Sequence, residues 1–235
     1  MKWAMCDGPP CSCTLLVGNG TKQPIDCTAL IPKCFLMKTE MYRARRGLST
    51  RTIGGKQHEI AIVDNDGIYD PECENDGKFK AKQCNGTDVC WCVNSAGVRR
   101  TDKGDQTLQC GKLVETYWVR LQLTHKEVNV YVNKDNLKTA IANELNSRYK
   151  LNPSLVKEIQ YDPDARMIVV DVTKPKGETN VKIKSHNLQL FTDQSRRFTP
   201  SVDGQNLMIE KTIIYYVDEE PPTVSASLPS CPIFF

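Results

Sequence analysis

The chain has 235 residues, 40% hydrophobic and 25% charged, with a formal net charge of +3. Those fractions suit a globular protein and exclude wholesale disorder or a fibrous repeat. So mild a charge argues against a dedicated nucleic-acid binder, and no run of about 18 apolar residues is present to span a bilayer.

Residues 1–33 begin MKWAMC, without the apolar stretch of a signal peptide, so a fragment or processed form is expected. Cys6, Cys11, Cys13 and Cys27 crowd this segment, which is too short to build a core without crosslinks. Ten of the 11 cysteines lie in the first 110 residues, and Cys231 stands alone in the tail. Structural zinc calls for C-x-x-C pairs with histidine nearby. Here the close pairs are Cys11-Ser-Cys13 and Cys90-Trp-Cys92, and His58, His125 and His186 are scattered. Disulfides are therefore expected, with no metal and no cofactor. Asn19-Gly20-Thr21 and Asn85-Gly86-Thr87 are glycosylation sequons, whereas Asn152-Pro153-Ser154 is excluded by its proline. Together these features point to an oxidising, secretory compartment.

Lys38–Lys56 carries Lys38, Arg43, Arg45, Arg46, Arg51 and Lys56 against one acid, Glu40. A solvated, mobile loop is one reading, favoured by Gly47, Gly54 and Gly55. A second is a processing site, because Arg43-Ala44-Arg45-Arg46 before Gly47 suits a trypsin-like protease. Asp64-Asn65-Asp66-Gly67 reads as a turn: the matching EF-hand register would begin at Ile62 and end at Cys73, both wrong ligands. Gly97-Val98-Arg99-Arg100 lacks interleaved aromatics, so nucleic acid is not expected as a partner. No GxSxG, HExxH or P-loop occurs, and a Cys–His nucleophile would need a free thiol. A non-enzyme is expected.

Residues 69–97 read YDPECENDGKFKAKQCNGTDVCWCVNSAG. Tyr69, Pro71, Cys73, Phe79, Gln83, Cys84, Cys90, Trp91, Cys92, Val93 and Gly97 fall in the order of a thyroglobulin type-1 module, which this stretch resembles. The resemblance implies the bridges Cys34–Cys73, Cys84–Cys90 and Cys92–Cys110. Cys90 and Cys92 project to one side of a strand and are too close to bond each other comfortably. Trp91 between two bridges serves as core.

Residues 111–222 read as a cysteine-free domain of mixed helix and strand. Tyr117, Val119, Leu121 and Leu123 alternate with Trp118, Arg120, Gln122 and Thr124, which predicts a half-buried strand. Leu137, Ile141 and Leu145 predict an amphipathic helix. Asn152-Pro153 predicts the start of a short helix with Leu155, Val156 and Ile159 inside. Met167–Val172 and Thr212–Val217 read as strands, and helices on one face of a small sheet bury these stripes. Pro221-Pro222 ends the domain, leaving 223–235 as a disordered tail with Cys231 an unpaired thiol.

The fold class expected is α+β: residues 1–33 a cysteine-rich segment, 34–110 the thyroglobulin module, 111–222 the C-terminal domain, then the tail. With VDNDGIYDPEC, FKAKQCNGT, CWCVNSAGVRRTDKGD, NSRYKLNP and IIYYVDEEPP, this order resembles the epithelial cell adhesion molecule family, which includes the trophoblast cell-surface antigen paralogue. The resemblance implies the extracellular part of a single-pass, cell-surface glycoprotein of epithelia, acting in adhesion and signalling as a cis homodimer and with other cell-surface proteins. It implies a Cys6–Cys13 bridge, which leaves Cys11 and Cys27 without their usual partners and their pairing open, a bond to each other being one option. It also offers a third reading for Arg43, Arg45, Arg46 and Gly47, a loop reaching into the partner's C-terminal domain. Residues 180–191 depart from a longer helical segment of the family, whose membrane helix would follow Pro222. Some thyroglobulin modules inhibit papain-like cysteine proteases; that alternative would use parts of 34–56, Gln83–Asp88 and Asn94–Gly97.

Overall fold

The computed structural model describes residues 3–28, 31–50, 69–129, 131–149, 151–175 and 198–217. Arg51–Lys56, the Asp64–Gly67 turn, residues 180–191, Pro221-Pro222 and the tail with Cys231 lie outside the described residues.

Strands β1 (Ala4–Asp7), β2 (Ser12–Leu16) and β3 (Lys22–Pro24) form an antiparallel meander. Cys6 faces Cys13 across β1 and β2, yet the bridges run Cys6–Cys11 and Cys13–Cys27. This corrects the expected Cys6–Cys13 pairing and gives Cys11 and Cys27, whose pairing was open, a partner each. The turn after β1 brings the Cα atoms of Cys6 and Cys11 to 5.1 Å. Ile25 N donates to Cys13 O at 2.9 Å, drawing the chain after β3 along β2 until Cys27 comes within bonding reach of Cys13.

Residues 38–45 of the expected loop are instead helix: α1 spans Lys33–Arg45, with Arg46 at its C-terminal cap. Cys34, Phe35 and Leu36 are consecutive and all buried. Phe35 and Leu36 pack with Leu15 and Ile31, while Cys34 packs with Tyr69, Phe79, Trp91 and Val93. A helix gripped by two small cores shows no single apolar stripe, so its period is invisible in sequence. The first segment and the module share this helix.

Strands β4 (Lys82–Cys84) and β5 (Cys90–Cys92) pair as a hairpin with Gln83 opposite Trp91. Cys34 is bonded to Cys73, Cys84 to Cys90 and Cys92 to Cys110. Trp91 meets Tyr69 edge-on, with ring centroids 5.0 Å apart.

The C-terminal part is a four-stranded antiparallel sheet in the order β11-β6-β8-β7. Its strands are β6 (Trp118–His125), β7 (Val156–Asp162), β8 (Met167–Thr173) and β11 (Ile209–Val217), with a small hairpin of β9 (Ser201–Val202) and β10 (Gln205–Asn206). Every second residue of β6 is buried, as its alternation predicts. Helix α2 (Lys134–Tyr149) lays Leu137, Ile141 and Leu145 into the core made by Leu121, Leu123 and Ile168. Asn133 caps it, accepting from the Asp135 and Asn136 amides.

One expected element differs. Asn152 does cap a turn through its side chain, but that turn is a single 3-10 turn ending at Leu155, and Val156 and Ile159 belong to β7. A bulge between Val156 and Ile159 lets residues three apart bury the same face, which imitates a helical period.

Candidate functional site

The basic end of α1 is tied down. Arg43 stacks on the Trp3 ring at 3.7 Å and donates to Ser49 O at 2.7 Å. Arg45 pairs with Asp70 at 3.2 Å, and Arg46 donates from Nη2 to Asn19 Oδ1 at 2.8 Å. Arg45, Arg46, Gly47 and Leu48 remain exposed. Sequence reading placed these arginines in a loop; the Arg46–Gly47 bond instead sits at the end of α1.

Both sequons occupy exposed hairpin tips: Asn19 between β2 and β3, Asn85 between β4 and β5. The Asn85 amide oxygen is held within its own hairpin by the Thr87 amide at 3.1 Å and by the Thr87 hydroxyl.

The edge expected to wedge into a cysteine protease is only partly exposed. Gln83 is wholly buried, donating to Glu72 O and Lys80 O and accepting from Glu72 N. Asn94, Ser95 and Ala96 are buried too. Ser95 N donates to Val114 O at 2.9 Å, Thr116 N donates to Ser95 Oγ at 2.9 Å, and Ala96 joins the core of the C-terminal domain. The turn that would enter a protease is packed against this chain's own next domain.

Lys33 marks the same junction. Nearly buried, it sits with Nζ 4.5 Å from the Tyr216 ring and 5.8 Å from the Phe79 ring, bridging α1, the module and β11. Burial pulls its pKa down from 10.5 to about 8. No motif flags Lys33; only the tertiary packing does.

The outer face of the sheet carries the complementary half of the alternating pattern. Across neighbouring strands stand Val217, Trp118 and Thr173; then Tyr215, Arg120 and Asp171; then Ile213, Gln122 and Val169. All are half-buried. Arg120 grips Asp171 with two hydrogen bonds, 2.8 and 2.9 Å, and Trp118 Nε1 donates to the same carboxylate at 3.0 Å. Burial opposes ionisation of Asp171, but the hydrogen bonds from Arg120 and Trp118 outweigh it and hold the pKa below the usual carboxylate value. The face mixes apolar and aromatic side chains (Val217, Trp118, Tyr215, Ile213, Val169) with Thr173 and Gln122 around one central ion pair. Its signal was in the sequence, as the outward residues of the two alternating strands.

Both ring nitrogens of His125 are engaged: Nδ1 donates to Lys126 O at 2.6 Å, and Nε2 lies 3.2 Å from the Tyr161 hydroxyl. The sulfurs of Cys11, Cys13 and Cys27 lie within 4.8 Å of one another, but all three are engaged in bridges.

Comparison with known proteins agrees with this architecture. The family described as "Thyroglobulin type-1 repeat" matches residues 48–111, and that described as "EPCAM/Trop-2, C-terminal" matches residues 116–218. The chain is 39% identical over 228 residues to "Tumor-associated calcium signal transducer 2" of Rattus norvegicus, covering 93% of this chain and 69% of that protein. It is 39% identical over 225 residues to "Epithelial cell adhesion molecule" of Bos taurus, covering 92% and 68%. The Homo sapiens protein of the latter name is 37% identical over 225 residues, with the same coverage.

Proposed function

Since the chain belongs to the family of epithelial cell adhesion molecule and tumor-associated calcium signal transducer 2, we propose that it is a glycosylated ectodomain that mediates cell-cell adhesion and signalling as a cis homodimer. Its role is binding, not catalysis. The division into a cysteine-rich segment (1–33), module (34–110) and C-terminal domain (111–222) is part of this reading. The observation that carries it is the outer sheet face around Trp118, Arg120, Ile213 and Tyr215, apolar enough to dock a second copy and rigidly framed by Arg120 and Asp171. Arg45, exposed at the end of α1, is the proposed reach of one copy into that face of the other. Inhibition of papain-like proteases is the weaker reading, because the Asn94–Ala96 turn is buried.

Sedimentation of the secreted, glycosylated chain over a wide concentration range tests the proposal. A dimer that dissociates in Ile213→Glu and weakens in Arg45→Glu is expected. A strict monomer, or association untouched by Ile213→Glu, overturns it and directs attention to cysteine-protease assays.

A further inference from the structure

We propose that Asn19 carries an N-glycan and that this glycan, with the hydrogen bond its amide makes to Arg46, controls proteolytic access to the Arg46–Gly47 bond. The inference rests on the secretory ectodomain reading above.

The sequon lies at the tip joining β2 to β3, closed by a hydrogen bond from Val17 N to Thr21 O at 3.0 Å. Asn19 and Thr21 are both exposed. The amide oxygen of Asn19 accepts from Arg46 Nη2 at 2.8 Å. That bond occupies Oδ1 and leaves Nδ2, the atom that takes a sugar. In the modification, Nδ2 bonds the anomeric carbon of an oligosaccharide carried on a polyprenyl pyrophosphate, the pyrophosphate leaves, and the amide gives up one proton.

The glycan would therefore be rooted on the residue that holds Arg46. A trypsin-like protease must draw an arginine into an acidic pocket with the flanking chain extended. Here Ala44 and Arg45 are helical, Arg43 is stacked on Trp3, and Arg46 is hydrogen-bonded to Asn19. Cleavage thus needs the last turn of α1 to unwind and Arg46 to leave Asn19, and a bulky sugar on Asn19 obstructs the enzyme's approach. Once reached, the bond is hydrolysed by one water, giving a carboxylate on Arg46 and an amine on Gly47. The Cys34–Cys73 bridge spans the cut and keeps the halves joined. The second sequon makes no such connection: Thr87, in its own hairpin, holds the Asn85 oxygen.

The test uses the full chain secreted from mammalian cells as wild type, Thr21→Ser (sequon kept), Thr21→Ala (sequon lost, Asn19 kept) and Asn19→Ala (both lost). Site occupancy is read by mass spectrometry. Nicking by dilute trypsin is followed on reducing gels, with N-terminal sequencing of the new fragment. Wild type and Thr21→Ser are expected to yield the Gly47 fragment roughly tenfold more slowly than Thr21→Ala, the glycan being a bulky surface obstacle. Asn19→Ala is expected to be faster again by a few-fold, for one exposed charge-assisted hydrogen bond. Equal rates in wild type and Thr21→Ala overturn the inference, as does an occupied Asn85 beside an empty Asn19, or a first cut elsewhere. Failure of the chain to acquire any glycan overturns the secretory reading itself, and the inference with it.

Discussion

Phe79 lies flat against Gly97: a Cβ built on Gly97, whose φ is +83°, would stand 2.7 Å from the Phe79 ring. The glycine of the Cys-Trp-Cys-Val pattern is thus required twice, by a left-handed backbone and by an aromatic ring with nowhere to go. Gly97→Ala should cost about 2–4 kcal/mol, the sum of overpacking and backbone strain. Gly86, with φ of +82° but open space around it, is the control and should lose only about 1 kcal/mol on the same change. Thermal unfolding with the bridges intact measures both; equal losses would show that the ring contact contributes nothing.

Lys33 gives the fold a dependence on alkaline pH. Its folded pKa of about 8 lies below the ordinary 10.5. Between those values the unfolded chain keeps a proton that the native chain has released, so stability rises with pH across that window. Below pH 8 the full cost of burying the charge is present. Lys33→Met should therefore stabilise the protein at pH 7 by as much as about 3 kcal/mol and remove this slope. Denaturant midpoints of both chains at pH 7 and pH 10 decide the matter; a less stable Lys33→Met would mean that the Tyr216 and Phe79 rings outweigh desolvation.

The bridges should differ in their response to thiols. Cys6, Cys11 and Cys27 are exposed, whereas Cys34 and Cys90 are fully buried. Exchange follows access, so limited reduction and alkylation should label the first four cysteines well before the module's six. With the Cys11, Cys13 and Cys27 sulfurs clustered and Cys6 facing Cys13, mild thiol should also produce Cys6–Cys13 and Cys11–Cys27 bonds. Peptide mapping would detect them. Labelling that starts in the module would contradict this order.

Sequence made β6, α2 and β8 legible because each buries one face against one core, and their residues alternate or recur accordingly. The module was legible for a different reason: its cysteines, Trp91 and Gly97 are fixed by local geometry with few substitutes. Helix α1 was hidden because Cys34, Phe35 and Leu36 face two cores at once. Strand β7 was misread because its bulge spaces Val156 and Ile159 like helix neighbours. The burial of Asn94–Ala96 and the place of Lys33 depend on how two domains meet, which no local pattern encodes.

That meeting has a mechanical consequence. Val217 and Trp118 face each other at one end of the β11–β6 ladder, and Trp118 is also where the chain enters the sheet from the module. Tension between the end of β11 and the module therefore peels the ladder open one hydrogen bond at a time, like a zip, instead of shearing the whole strand. Across the line of pull stand, among others, Lys33 against the Tyr216 ring, Ser95 bonded to Val114 O and Thr116 N, and Ala96 in the core of the C-terminal domain. Resistance to force accordingly resides in this latch, and loosening any of these contacts softens the molecule under load even where its resting stability is unchanged.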